Sequence, residues 1–134
     1  MKILVTGAKG FVGKNLVAQL KNIRDGKAKC YGDIAIEDIY EYDIDSTSEQ
    51  LDCYCRDCDF VFNLAGVNRP KTQEEFMQGN FGFASELLEC LKKHDNKCPV
   101  MISCLLIANW KALLTFTSNR AGLVFVASLV LNSI

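Results

Sequence analysis

Three glycines spaced three apart, Gly7, Gly10 and Gly13, follow directly on the run Lys2-Ile3-Leu4-Val5-Thr6, and this junction constrains the fold more than anything else in the chain. The run before them is β-rich with no polar alternation, the pattern of a strand buried on both faces of a parallel sheet. After them apolar residues recur at Phe11, Val12, Leu16, Val17, Leu20 and Ile23, which is one face of a helix. Gly7 permits the tight turn out of the strand. Gly10 lets backbone N–H groups approach a pyrophosphate with no Cβ in the way, and Gly13 allows helix and strand to pack closely. The positive end of the helix then meets the phosphates. Strand, glycine turn and amphipathic helix in this order point to a dinucleotide site; the competing reading leaves the glycines with the turn alone.

The rest of the first hundred residues continues the alternation. A polar loop over Arg24 to Asp33 leads to a second strand, Ile36 to Tyr42, which ends at Asp43. A carboxylate at that strand end accepts hydrogen bonds from the adenosine ribose hydroxyls and repels a 2′-phosphate, favouring NAD over NADP. Thirty residues separate Gly13 from Asp43, where about 20 is usual, so a solvated turn acid is the alternative role. Lys9, in the glycine turn, pulls the other way because its ammonium can pair with a 2′-phosphate. The segment LDCYCRDCD reads as a short polar helix, Asp59 to Leu64 as a third strand, Ala84 to Lys93 as a helix with Leu87, Leu88 and Leu91 on one face, and Val100 to Ser103 as a fourth strand. A further helix is predicted after Pro70-Lys71-Thr72. These elements make the first half of a doubly wound α/β sheet.

Composition narrows the function classes. With 134 residues, 49% of them apolar, the chain has room for one core. Fifteen basic against sixteen acidic residues give no electrostatic footprint for nucleic acid. The seven cysteines are odd in number, and Lys9 interrupts the N-terminal apolar run that a signal peptide needs, so the chain reads as reduced and cytoplasmic. Cys53, Cys55 and Cys58 form the one tight thiol cluster. A fourth metal ligand is wanting there, since the single histidine, His94, is distant in sequence, and apolar filling is the favoured role; no metal is expected.

All sixteen acids lie between Asp25 and Asp95, and the last 39 residues have none. From Leu105 onward the text is rich in Leu, Val and Ala, interrupted by Lys111 and Arg120. Its final uncharged run, Ala121 to Ile134, spans 14 residues, short of the about 20 that a bilayer-spanning helix needs. A membrane role is therefore not expected. Residues 1–104 read as a dinucleotide-binding half-domain and 105–134 as an atypical apolar tail. The break near Cys104 is expected of a frameshifted or truncated gene product; the competing view is a short protein whose tail adds a last helix and strand. If the tail leaves Val100 to Ser103 uncovered, that strand is an exposed edge open to self-association.

The segments TGAKGFVG, NLAGVNRP and GNFGFASELLECL together resemble the extended short-chain dehydrogenases, the NAD-dependent epimerase/dehydratase family, over residues 1 to about 104. AGVNRP followed by EEFMQGN looks most like bacterial capsular-polysaccharide reductases that act on UDP-linked amino sugars. The resemblance implies an NAD(P)-binding Rossmann-type doubly wound parallel sheet, incomplete here at about four strands, with NAD or NADP as cofactor and a UDP-sugar as the family's substrate. It implies that Gly7, Gly10, Phe11, Val12 and Gly13 hold the pyrophosphate while Asp43 approaches the adenosine end. Leu64, Ala65 and Gly66 would line the middle of the cofactor, and Asn80 would sit near the nicotinamide side. Ile44 stands where these reductases would carry a basic residue, which weakens the NADP preference that the resemblance implies.

The family's chemistry needs a tyrosine as general acid or base and a lysine four residues later. The tyrosines here are Tyr31, Tyr40, Tyr42 and Tyr54, followed at that spacing by Ala35, Ile44, Ser46 and Cys58. If Ser118 to Gly122 echoes the family segment, Thr115 and Asn119 occupy the two positions, and neither substitutes chemically. Ser103 would be a remnant of the substrate-binding serine. No catalytic residue is therefore assigned. The function readings are a nucleotide-sugar reductase or epimerase lineage that keeps its cofactor half, a non-catalytic dinucleotide-binding or interaction module, and a membrane-attached adaptor using residues 112–134.

Overall fold

The structure, a computed structural model, describes residues 1–28, 34–66, 81–103 and 124–127, with 32 and 72 besides. Asn80, the helix expected after Thr72, Thr115 and Asn119 lie outside the described residues.

Five strands form one parallel sheet in the order β2-β1-β3-β4-β5. They are β1 (Lys2–Thr6), β2 (Asp38–Tyr42), β3 (Phe60–Asn63), β4 (Val100–Ser103) and β5 (Val124–Ala127), with helices α1 (Phe11–Arg24), α2 (Ser48–Asp57) and α3 (Phe83–Lys93) between them. Register aligns Thr6 with Tyr42 on one side and with Asn63 on the other, so three strand ends finish at one edge. The chain leaves β1 for β2 and then crosses back to β3 on the far side of β1. This makes β1/β3 the switch point at which open α/β sheets bind ligands.

The two faces of β1 are buried by different helices. Ile3 and Val5 pack with Val17 and Leu20 of α1, and Leu4 packs with Leu51 of α2 and Leu87 and Leu91 of α3. Burial on both faces is what the unbroken apolar run of β1 requires. Helix α1 ends at Asp25. There Gly26, at φ +69°, donates its N–H to Ile23 O at 3.0 Å, a left-handed glycine stop. Helix α2 opens on a reciprocal cap: Gln50 N–H donates to Thr47 Oγ1 (3.3 Å) and Thr47 N–H to Gln50 Oε1 (2.9 Å).

The doubly wound sheet agrees with expectation, although α2 starts three residues before the expected LDCYCRDCD segment and ends at Asp57, and β3 is one residue shorter at each end than Asp59 to Leu64. Strand β2 starts at Asp38 rather than Ile36; Ile36 lies just before it, buried against the α1 cluster. Strand β4 is not the sheet edge, because β5 pairs with it in parallel register from Val100↔Val124 to Ser103↔Ala127. The sequence Val124-Phe125-Val126 is made of strong strand formers, and this local preference places part of the apolar segment in the sheet.

Candidate functional site

The glycine turn lies at the switch point, and each glycine does different work there. Gly7 adopts φ +68°, and a Cβ on it would stand 2.8 Å from Leu64 C, Leu64 O and Ala65 N. A side chain would thus push the turn off the chain leaving β3. Gly13 packs on the turn itself, since its Cβ would lie 2.1 Å from Gly7 O and 2.8 Å from Ala8 Cα. Gly10 is exposed, caps α1 in an extended conformation without a side-chain cap, and donates its N–H to Gly7 O at 3.1 Å. The first-turn N–H groups that follow have no intrahelical acceptor, and the first turn holds no acid, so the helix end is suited to an anion. Phe11 and Val12 project outward, Phe11 at 86% exposure.

Asp43 reaches this turn despite its long separation in sequence. Its Oδ2 accepts from Lys9 N–H at 2.7 Å and its Oδ1 from Ile44 N–H at 2.8 Å, while Ala8 N–H donates to Tyr42 O at 3.2 Å. The surplus residues run between the end of α1 and the start of β2, and pairing of β2 with β1 restores the strand end to the turn. Ile44 beside it is 99% exposed. The Lys9 ammonium pairs with Asp45, a hydrogen bond that raises the lysine pKa and lowers that of the carboxyl. It is thereby engaged by an acid, although so exposed a pair is weak.

The opposite wall is positioned by a buried polar pair. Thr6 Oγ1 donates to Asn63 Oδ1 at 2.6 Å and accepts from Ala65 N–H at 3.3 Å. These bonds tie the last residues of β1 and β3 together and hold the Leu64 and Ala65 backbone against Gly7, with the exposed Gly66 next in the chain. Sequence reasoning named Leu64 to Gly66 and passed over Thr6 and Asn63, whose signal was a polar residue ending each of two apolar strands.

The thiol cluster does not assemble. Cys53 is exposed, whereas Cys55 and Cys58 are buried in the core, where Cys58 Sγ meets Cys98 Sγ at 3.8 Å. Burial pushes the Cys55 thiol up, and contact with Cys98 together with burial does the same to Cys58. These are apolar fillers with unreactive thiols. His94, distant in sequence, lies beside α2 with its Nε2 3.0 Å from Asp52 Oδ1, and Cys90 Sγ is 3.8 Å from the same oxygen.

A glycine turn at a switch point, walled by Asp43 and by Leu64 to Gly66, is the arrangement on which comparison with known proteins bears directly. The family model "NAD dependent epimerase/dehydratase family" matches residues 3–108. The chain belongs to that family. It is 40% identical over 101 residues, 75% of its length, to the UDP-2-acetamido-2,6-beta-L-arabino-hexul-4-ose reductase of Pseudomonas aeruginosa, and spans 24% of that protein. A solved structure of the capsular polysaccharide assembling protein CapF from Staphylococcus aureus superposes with TM-score 0.67 at 29% identity, over 94% of this chain and 34% of CapF. MoeE5, solved in complex with UDP-glucuronic acid and NAD, shares the fold at TM-score 0.62 and 18% identity, over 96% of this chain and 53% of MoeE5. The expected cofactor agrees with the family's NAD dependence. No helix among the described residues is long and apolar enough to cross a membrane.

Proposed function

We propose that this epimerase/dehydratase-family chain is the cofactor-holding part of a cytoplasmic nucleotide-sugar reductase or epimerase of surface-polysaccharide synthesis, with a UDP-linked 2-acetamido sugar as the substrate class. The observation that carries the reading is the convergence of the glycine turn, Asp43 and the Leu64–Ala65 backbone at the β1/β3 switch point. The 40% identity to a reductase of a UDP-linked 2-acetamido sugar supports the substrate class. Residues Gly7, Gly10, Phe11, Val12 and Gly13 would take the pyrophosphate, Asp43 the adenosine ribose, and Leu64 to Gly66 the middle of the cofactor. Redox chemistry at such a site is the cofactor's own; the chain binds and orients it.

A second reading, a dinucleotide-binding module without turnover, is favoured by the tyrosines. None is followed by lysine four residues on, and the three that the structure describes are committed to packing: Tyr40 stacks on Tyr54 at 4.6 Å and Tyr42 on Phe83 at 5.7 Å. We read residues 1–104 as the binding unit and 105–134 as a segment without a catalytic pair.

Calorimetric titration with NAD and NADP tests both readings. NAD is expected to bind the tighter, because Asp43 repels a 2′-phosphate. Gly10→Val should abolish binding, and circular dichroism checks that the fold survives, since a Cβ there would stand 3.2 Å from Gly7 O. Equal affinity in the variant would remove the site. Turnover of a UDP-linked 4-keto sugar by this chain would rule out the second reading.

A further inference from the structure

On the face of the sheet covered by α2 and α3, the contact between these helices brings together three side chains that the dinucleotide site does not use. Asp52 comes from α2. Cys90 and His94, four residues apart at the end of α3, lie one above the other on one side of that helix. Asp52 Oδ1 is 3.0 Å from His94 Nε2 and 3.8 Å from Cys90 Sγ, and all three donor atoms lie within 4.8 Å of one another. A tetrahedral ion with bonds of about 2.0–2.3 Å separates its donors by about 3.3–3.8 Å, so only small side-chain adjustments are needed. All three residues are partly accessible.

An ordinary ion pair accounts for part of this arrangement. Lys93 Nζ lies 2.6 Å from Asp52 Oδ1, and together with His94 it holds the Asp52 carboxyl down at about 2. It accounts for His94 Nε2 only when the imidazole is protonated; on the neutral ring that nitrogen, shielded from solvent and 3.0 Å from Asp52 Oδ1, has no hydrogen-bond partner. It does not call for a thiol beside the carboxylate. Lys93 is 67% exposed and free to swing into solvent.

We propose that Asp52, Cys90 and His94 form an open three-ligand site for a borderline divalent cation of the Zn²⁺ class, with water as fourth ligand, fastening α2 to α3. The mixed O, S and N donors suit such an ion, and the thiolate argues against Mg²⁺ or Ca²⁺. Binding replaces the Cys90 thiol proton, which passes to solvent, uses the lone pair of neutral His94 Nε2, and displaces the Lys93 ammonium from Asp52. The site stands apart from the dinucleotide edge: His94 follows the C-terminal end of α3, on the side from which the chain enters β4.

The test is titration of the full chain, freed of metal, with Co²⁺. One equivalent should give tetrahedral visible bands and a thiolate-to-cobalt charge-transfer band, both removed by Zn²⁺. Cys90→Ser should abolish the charge-transfer band, and His94→Gln should weaken binding by more than the about 10–100-fold that loss of an outer partner costs. Lys93→Gln should tighten binding, since it removes the competing cation, while Cys53→Ser should change nothing. Circular dichroism checks each variant, and if Cys90→Ser does not fold, His94→Gln and Lys93→Gln decide. Absence of a thiolate band in the parent chain, its persistence in folded Cys90→Ser, or unchanged affinity in both His94→Gln and Lys93→Gln would overturn the site.

Discussion

On the α1 face of the sheet, Ile3, Val5, Ala8, Val17, Leu20 and Ile36 make an interior in which nothing titrates. On the other face, Leu4, Leu51, Val61, Leu87 and Leu91 share the interior with Cys55, Cys58 and Cys98, and the helices above carry Asp52, Cys90 and His94 at their contact. The first face depends on closeness, because α1 can approach only where Gly13 presents no side chain. The second is held by two separate helices, with Asn96 as a clasp: its amide donates to Cys55 O at 2.7 Å and Cys58 O at 2.8 Å. A face built on one glycine contact has little latitude. A face assembled from two helices accommodates small polarisable side chains and donor groups near its rim.

The largest expected effect breaks the first face. In Gly13→Ala the new Cβ would stand 2.1 Å from Gly7 O and 2.9 Å from Ala8 C. Both atoms are backbone, so the cost should reach or exceed the upper end of the about 1–3 kcal/mol typical of overpacking. A urea titration should show most of the stability gone and dinucleotide binding with it. A variant as stable as the parent would mean that α1 does not rest on the turn.

Thr6→Val probes the end of the second face. It leaves Asn63 Oδ1 and Ala65 N–H without their partner inside the protein, at a cost of about 1–3 kcal/mol. Binding should weaken by more than the stability loss alone explains, since the Leu64 to Gly66 wall loses its anchor. Full affinity in a destabilised variant would separate fold from site and deny Thr6 a positioning role.

The contrast between the faces also explains what could be read in advance. Strand β1, the glycine turn and α1 were legible because each signal is local: an apolar run, a triplet spacing and a 3.6-residue period. The Asp43 position was less so, because the long connection before β2 obscured a contact that strand pairing restores. The convergence of Asp52 with Cys90 and His94 had no local signature, since it depends on how two helices meet after two crossovers. The Thr47–Gln50 cap was present in the sequence as a short motif and announces the start of α2. Strand β5 stood only as the competing view, because apolar composition alone does not distinguish a covering strand from an uncovered segment.

The smallest effect lies at the rim of the second face, where the Tyr40 hydroxyl donates to Asp57 Oδ2 at 2.6 Å and Lys2 Nζ donates to the same oxygen at 2.8 Å. The hydrogen bond to Asp57, with burial behind it, pushes the Tyr40 phenol from 10.0 up to about 12. Between these values the unfolded chain has lost the phenolic proton and the folded chain keeps it. The unfolded state then binds fewer protons, and stability falls as pH rises through that window. Lys2, raised chiefly by its bond to Asp57, acts in the same direction, since its contribution is complete below the unfolded pKa and fades above it. Tyr40→Phe should therefore change the urea midpoint little at neutral pH and flatten its decline in alkali. A residual slope should remain from Lys2 and from Tyr42, whose hydroxyl burial also pushes up. At the acid end the sign reverses: Asp57 is lowered first by Lys2 and then by Tyr40, so its contribution is present above the unfolded pKa and is lost as pH falls through the folded one. Removing the phenol should shrink that acid loss as well, and parent-like profiles at both ends would show that the Tyr40 hydroxyl does not rest on Asp57 in solution.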